Sequence, residues 1–96
     1  MNEIRKTDLF VKWLDGLDDL LGRARIMARI ERVATGNFGN VKPVGEGVFE
    51  MRIDCGPGYR VYYIQQRHTV VILLAGGDKS TQAQDIKTAK RMAKNL

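Results

Sequence analysis

Two periodicities divide the chain near residue 40. Before it, apolar residues recur at helical spacing; after it, they alternate. Phe10, Trp13, Leu14 and Leu17 stand at i, i+3, i+4 and i+7, one face of a helix beginning at Asp8. Gly16 falls inside that pattern and predicts its end near residues 17–19. A second helix is expected over 19–34, with Ile26, Ile30 and Val33 as its apolar stripe. Arg25, Arg29 and Arg32 repeat at the same spacing on another face, and Gly36 in Thr35-Gly36-Asn37 suits the left-handed cap position. A short first strand over 2–5 precedes both helices.

Beyond residue 40 the period is two. A short strand over 42–44 leads to 49–54, where Phe49, Met51 and Ile53 point one way and Glu50, Arg52 and Asp54 the other. Cys55-Gly56-Pro57-Gly58 reads as a hairpin turn. The return strand over 59–66 sets Arg60, Tyr62 and Ile64 against Tyr59, Val61 and Tyr63 on its two faces. Arg67-His68 makes a second turn. Residues 70–74, Val-Val-Ile-Leu-Leu, are apolar on both faces, as in a central strand, and Gly76-Gly77-Asp78 is expected to end it. A last helix over 81–95 turns Ile86, Ala89 and Ala93 inward and Lys87, Lys90, Arg91 and Lys94 outward. The order β-α-α-β-β-β-α implies an α+β domain, a small, mainly antiparallel sheet with the two N-terminal helices packed on one face.

At 96 residues the chain is read as one domain, 1–96. The single Cys55 forms no internal disulfide, no apolar run approaches a bilayer's width, and no secretory leader is visible. A cytoplasmic location without membrane attachment is expected. Composition changes the picture through charge. Sixteen Lys and Arg against eleven Asp and Glu leave a net +5, which draws a small domain towards a polyanion or an acidic protein.

One His and one Cys, without HExxH or CxxC, give no metal-binding constellation, and no cofactor is implied. Neither Gly45-Glu46-Gly47 nor Gly76-Gly77-Asp78-Lys79 has phosphate-loop spacing. What remains is a set of cations on the sheet. Arg52 and Arg60 lie on adjacent strands with the same predicted facing, Lys79 enters the last helix, and Asp85 follows about a turn and a half later. Such cations bind phosphodiesters and stabilise charge developing at phosphorus. Tyr59, Tyr62 and Tyr63 lie alongside as faces for a splayed base.

The segments Phe49-Glu50-Met51-Arg52-Ile53, Gly56-Pro57-Gly58-Tyr59-Arg60-Val61-Tyr62-Tyr63 and Leu73-Leu74-Ala75-Gly76-Gly77-Asp78-Lys79-Ser80-Thr81-Gln82, followed by Asp85-Ile86, resemble the HigB-like "addiction module killer" branch of the RelE/ParE toxin superfamily. The resemblance runs from about residue 4 to 93. It implies the toxin of a type II toxin–antitoxin system, a ribosome-dependent mRNA endonuclease (mRNA interferase) that cuts the codon in the A site. In that chemistry the ribose 2′-hydroxyl attacks the adjacent phosphate, leaving a 2′,3′-cyclic phosphate and a 5′-hydroxyl, with no metal required.

By position, the resemblance implies that Arg60 binds the phosphate, Arg52 does general-base or charge-stabilising work, and Lys79 is a general acid or phosphate ligand. Asp85 falls where RelE itself has a catalytic tyrosine and HigB-like proteins tend to be acidic. An arginine is a poor base, so Arg52 is assigned to electrostatics. Glu50 replaces a lysine of RelE and leaves the base unassigned. RNA binding is expected through Arg60, Tyr59, Tyr62 and Lys87. The partners implied are a cognate helix-turn-helix antitoxin, the ribosome and mRNA. The alternatives on the same fold are a ParE-like DNA gyrase inhibitor, a class that usually lacks the basic set, and a catalytically inactive prophage remnant.

Overall fold

The Thr7 hydroxyl oxygen accepts from the Phe10 amide at 3.1 Å and starts α1 (Asp8–Asp15). Asp19 starts α2 (Leu20–Ala34) in the same way, accepting from Gly22 N at 2.9 Å. The first helix ends at Asp15, earlier than its apolar period predicts, because Gly16 serves as its cap; Leu17 packs against the core from the loop. Gly36, at φ 102°, takes the left-handed conformation expected after α2.

The computed structural model describes all 96 residues. A five-stranded sheet runs in the order β1-β5-β4-β3-β2, from β1 (Glu3–Lys6), β2 (Val41–Gly45), β3 (Val48–Ile53), β4 (Tyr59–Gln66) and β5 (Val70–Asp78). β1 pairs parallel to β5, and every other neighbour is antiparallel. The α+β class and the mainly antiparallel sheet are as expected. The short strand expected over 42–44 becomes β2, a fourth strand after the helices, on an edge where Pro43 and a bulge between Pro43 and Gly45 are tolerated.

α1 and α2 cover one face, where Phe10, Ile26, Ile30 and Val33 meet Met51, Val61, Val71 and Leu73 in one buried cluster. A turn of 3-10 helix (Lys79–Thr81) then leads into α3 (Gln82–Lys94), which covers the other face, Ala89 packing with Val48, Tyr62 and Leu74. This corrects one expectation. The side of β3 and β4 bearing Glu50, Arg60 and Tyr62 reads as a polar surface from alternation alone, yet α3 makes it a second interior. Glu50 and Tyr62 are fully buried there, and Arg60 is 6% exposed.

β5 also runs further than its glycines suggest. Gly76 and Gly77 are strand residues rather than a stop, and each takes a large neighbour on one face. The Trp13 ring lies directly on Gly76 and the Asp85 carboxylate on Gly77, so a methyl at either position would overlap its neighbour. Glycine serves there as clearance. Gly76→Ala is therefore expected to destabilise by about 1–3 kcal/mol, the usual effect of overpacking a core. A thermal melt checks this, and an unchanged midpoint would mean that Trp13 can move aside.

Candidate functional site

Strand register builds the site. Arg52 of β3 stands directly across from Arg60 of β4, and Arg60 across from Gly77 of β5, so the three form one row on the α3 side. Asp85, on the first turn of α3, reaches down onto Gly77 and extends that row. Lys79 joins at the end of β5, where its side chain and that of Arg60 both border Gly58. The four residues expected to carry chemistry, Arg52, Arg60, Lys79 and Asp85, are thus brought to one end of the sheet.

Like charges placed directly opposite on neighbouring strands repel. Arg52 and Arg60 are such a pair, and each has a buried Nε without a hydrogen-bond partner. An arginine does not relieve that repulsion by giving up its proton. Only one carboxylate compensates nearby: Glu50 Oε2 lies 3.6 Å from Arg60 Nε.

The next row on the same face is organised by Glu50, which stands across from Tyr62. Glu50 Oε2 accepts from the Tyr62 hydroxyl at 3.0 Å and from Gln82 Nε2 at 2.8 Å, while Lys42 Nζ lies 3.7 Å from Oε1. Burial, followed by the charge of Glu50, pushes the Tyr62 phenol well above its ordinary value, so it stays a hydrogen-bond donor. Glu50 reads in the sequence as a lost lysine. In the structure it is a buried hub that fixes Arg60 and ties β2 and α3 to β3. The available signal was its alternation with Arg52, which puts both on one face.

Asp85 is partly exposed. Its Oδ2 accepts from the Thr81 hydroxyl at 2.6 Å. Desolvation raises its carboxyl above the ordinary value against the opposing effect of the Thr81 bond, and the charge of Asp78 adds to the rise. A carboxyl raised by burial, on the same row of the sheet as two arginines, has the setting of a proton-transfer group. Asp78, by contrast, is held below its ordinary value by the Ser80 hydroxyl and then the Ser80 amide, and it caps the turn carrying Lys79.

The tyrosines expected to stack on RNA are placed otherwise. Tyr62 is enclosed under α3. Tyr59 is 4% exposed on the opposite face, where its hydroxyl donates to Asp19 Oδ2 at 2.8 Å and its ring meets Trp13 edge-on at 6.2 Å. That burial and bond raise the Tyr59 phenol to about 12. Tyr63 lies between Phe38 and Phe49, with ring centroids 5.6 Å away on each side. All three rings are structural in this arrangement. Lys87 is exposed on α3 and makes no ion pair, whereas Lys90 and Lys94 lie 3.8 and 3.3 Å from Glu46 and tether the helix to the β2–β3 turn. No helix is long and apolar enough to cross a membrane.

A family model described as "Phage derived protein Gp49-like (DUF891)" matches residues 12–95, a span that holds α2, α3, all of the sheet except β1, and every residue of the cation row. An uncharacterized protein of Haemophilus influenzae strain Rd is 53% identical over 94 residues, covering 98% of this chain and 95% of its own length. By the family match, which spans most of its length, the chain belongs to the Gp49-like family of phage-derived proteins.

Proposed function

We propose that the chain is the toxin of a type II toxin–antitoxin pair and cuts mRNA in the ribosomal A site. The observation that carries this reading is the opposed Arg52–Arg60 pair with Asp85 at the end of the same row. Two guanidiniums that repel one another, with unmet Nε groups, favour an anion between or above them. Asp85 adds the one feature a static phosphate site does not need, a carboxyl shifted towards proton exchange.

In the proposed reaction, Asp85 takes the proton of a ribose 2′-hydroxyl as that oxygen bonds to the adjacent phosphorus. The bond to the 5′-oxygen of the next nucleotide breaks, and this oxygen leaves with a proton from Lys79. The products are a 2′,3′-cyclic phosphate and a 5′-hydroxyl. Arg52 and Lys79 are the more accessible cations and meet the RNA first; Arg60, behind them, stabilises the charge that grows on the phosphoryl oxygens. Glu50 is a positioning residue that holds Arg60 without touching substrate. The partners proposed are a helix-turn-helix antitoxin, the ribosome and translated mRNA.

Brief induction in a bacterial host, with mapping of new mRNA 5′ ends, tests the reading. Cuts inside translated codons, absent from ribosome-free extract, are the expected result. Growth arrest with DNA breaks and no new mRNA ends would transfer the protein to gyrase inhibition, and growth without arrest would make it an inactive remnant.

A further inference from the structure

The one pocket in the molecule lies beside the cation row. It encloses about 270 Å³ between α2 and the end of β3, and Arg25, Arg29, Arg32, Arg52, Asn40 and Asp54 provide its polar wall. The three guanidiniums of α2 against the one carboxylate of Asp54 leave two positive charges in excess around a space smaller than most small-molecule sites, with Arg52 bordering it from β3.

The four arginines are not equivalent. Arg29 is committed to the backbone: Nη1 donates to Arg52 O at 2.6 Å, and Nη2 donates to Phe38 O at 2.9 Å and Asn40 O at 3.0 Å. It joins α2 to β3, and desolvation, then Arg32, lower its pKa from the ordinary arginine value. Arg25, Arg32 and Arg52 form no ion pair within 4 Å, and neither does Asp54. Arg52 Nε is buried without an acceptor. Arg25 and Arg32 stand two turns apart on the exposed side of α2, with Ala28 and Ile53 the apolar part of the wall. No aromatic ring lines the space, so a base has nothing to stack on.

We infer that this pocket is a second phosphate subsite, holding the backbone of the RNA strand next to the bond that is cut. Arg52 adjoins both places, its side chain in the Arg60 row on the α3 side and its main-chain oxygen, which accepts from Arg29, at the pocket, so a strand leaving that row round the end of β3 runs on towards Arg25 and Arg32. A wall of guanidiniums without an aromatic recognises phosphodiester charge and shape rather than base identity. The subsite therefore contributes affinity that is independent of sequence. This inference rests on RNA being the substrate of the cation row.

The test compares three purified proteins: wild type, Arg25→Gln/Arg32→Gln, and Arg67→Gln/Lys6→Gln, which removes two exposed charges outside the pocket. The probe is a labelled single-stranded oligoribonucleotide with 2′-O-methyl riboses, which lacks the nucleophile and cannot be cut. Fluorescence anisotropy is read across a salt series. In a single strand each phosphate contact contributes about 0.7 to the slope of log affinity on log salt. The pocket variant is expected to bind about tenfold more weakly at low salt, with a slope shallower by about 0.7–1.4 whatever the oligonucleotide's sequence. The control variant is expected to keep the wild-type slope.

Equal slopes in wild type and pocket variant would overturn the subsite. So would an equal loss in both variants, which would show net charge alone at work. If the pocket variant binds RNA normally but loses an acidic partner protein, the pocket belongs to protein recognition instead. Wild type that binds the probe through the pocket yet leaves unmodified mRNA uncut on ribosomes would sink the nuclease reading while the subsite stands.

Discussion

Arg60→Ala alone is expected to destabilise the protein by about 3–5 kcal/mol, because it leaves the fully buried Glu50 carboxylate with the exposed Lys42 as its only counter-charge. That is a large part of the roughly 5–15 kcal/mol that holds a small domain together. Lost toxicity in this variant would therefore be ambiguous between lost chemistry and lost fold. Adding Glu50→Gln removes the stranded charge while an amide oxygen remains to accept from Tyr62. The double variant is expected to recover most of the denaturant midpoint. Under the proposed function its cleavage should still be lower by about 10²–10³, the usual effect of removing one charged contact from a developing oxyanion. Recovery of both stability and cleavage in the double variant would show that Arg60 only balances Glu50.

Asp85→Asn should separate stability from activity in the opposite direction. In the fold the Asp85 carboxyl is raised, chiefly by desolvation, so folding favours its protonated form. The stability it contributes is fully present below the unfolded value near 3.8 and is lost as pH rises through the raised folded value. At neutral pH the ionised carboxylate is thus a net burden on the fold. Asparagine keeps an oxygen to accept from Thr81 and carries no charge. The variant is expected to melt at the same temperature as wild type or above it at pH 7, and to lose the extra stability that wild type shows on the acid side. Cleavage should fall by about 10²–10⁴ if Asp85 moves a proton. A variant that melts lower and cleaves normally would make Asp85 a structural residue.

The sequence made the strands and helices legible wherever one face of an element is apolar and the other polar. Phe10, Leu14, Ile26 and Ile30 point where their spacing says, and Arg52 and Arg60 share a face because alternation and a hairpin leave them no other arrangement. Alternation does not say what lies on top of a polar face. The small inward residues of α3, Ala89 and Ala93, let that helix sit close, so Glu50 and Tyr62, which look like surface residues, are inside. The glycines misled for a related reason: Gly76 and Gly77 keep strand conformation because Trp13 and Asp85, distant in sequence, need the room. The pocket was illegible for a third reason. Arg25, Arg29 and Arg32 show as a helical stripe, but only tertiary packing brings Arg52 and Asn40 to meet it.

The parallel pairing of β1 with β5 bears on the order in which the protein assembles as it is made. Glu3 takes its place beside Val70, and Lys6 beside Leu73, so the first strand waits for most of the chain before its partner exists. The apolar stripes of α1 and α2 wait with it, since the face they cover is built from β3, β4 and β5. Contacts closed over such long stretches of chain form late and slowly. The antiparallel unit β3-β4-β5, joined by short turns, is the part that can form first. Asp85 and the covering helix follow it in the chain, so a nascent or truncated product carries the arginines without the residue proposed to move the proton. Under the proposed function, cleavage then waits until α3 is in place, and an antitoxin has that interval in which to meet a chain that does not yet cut.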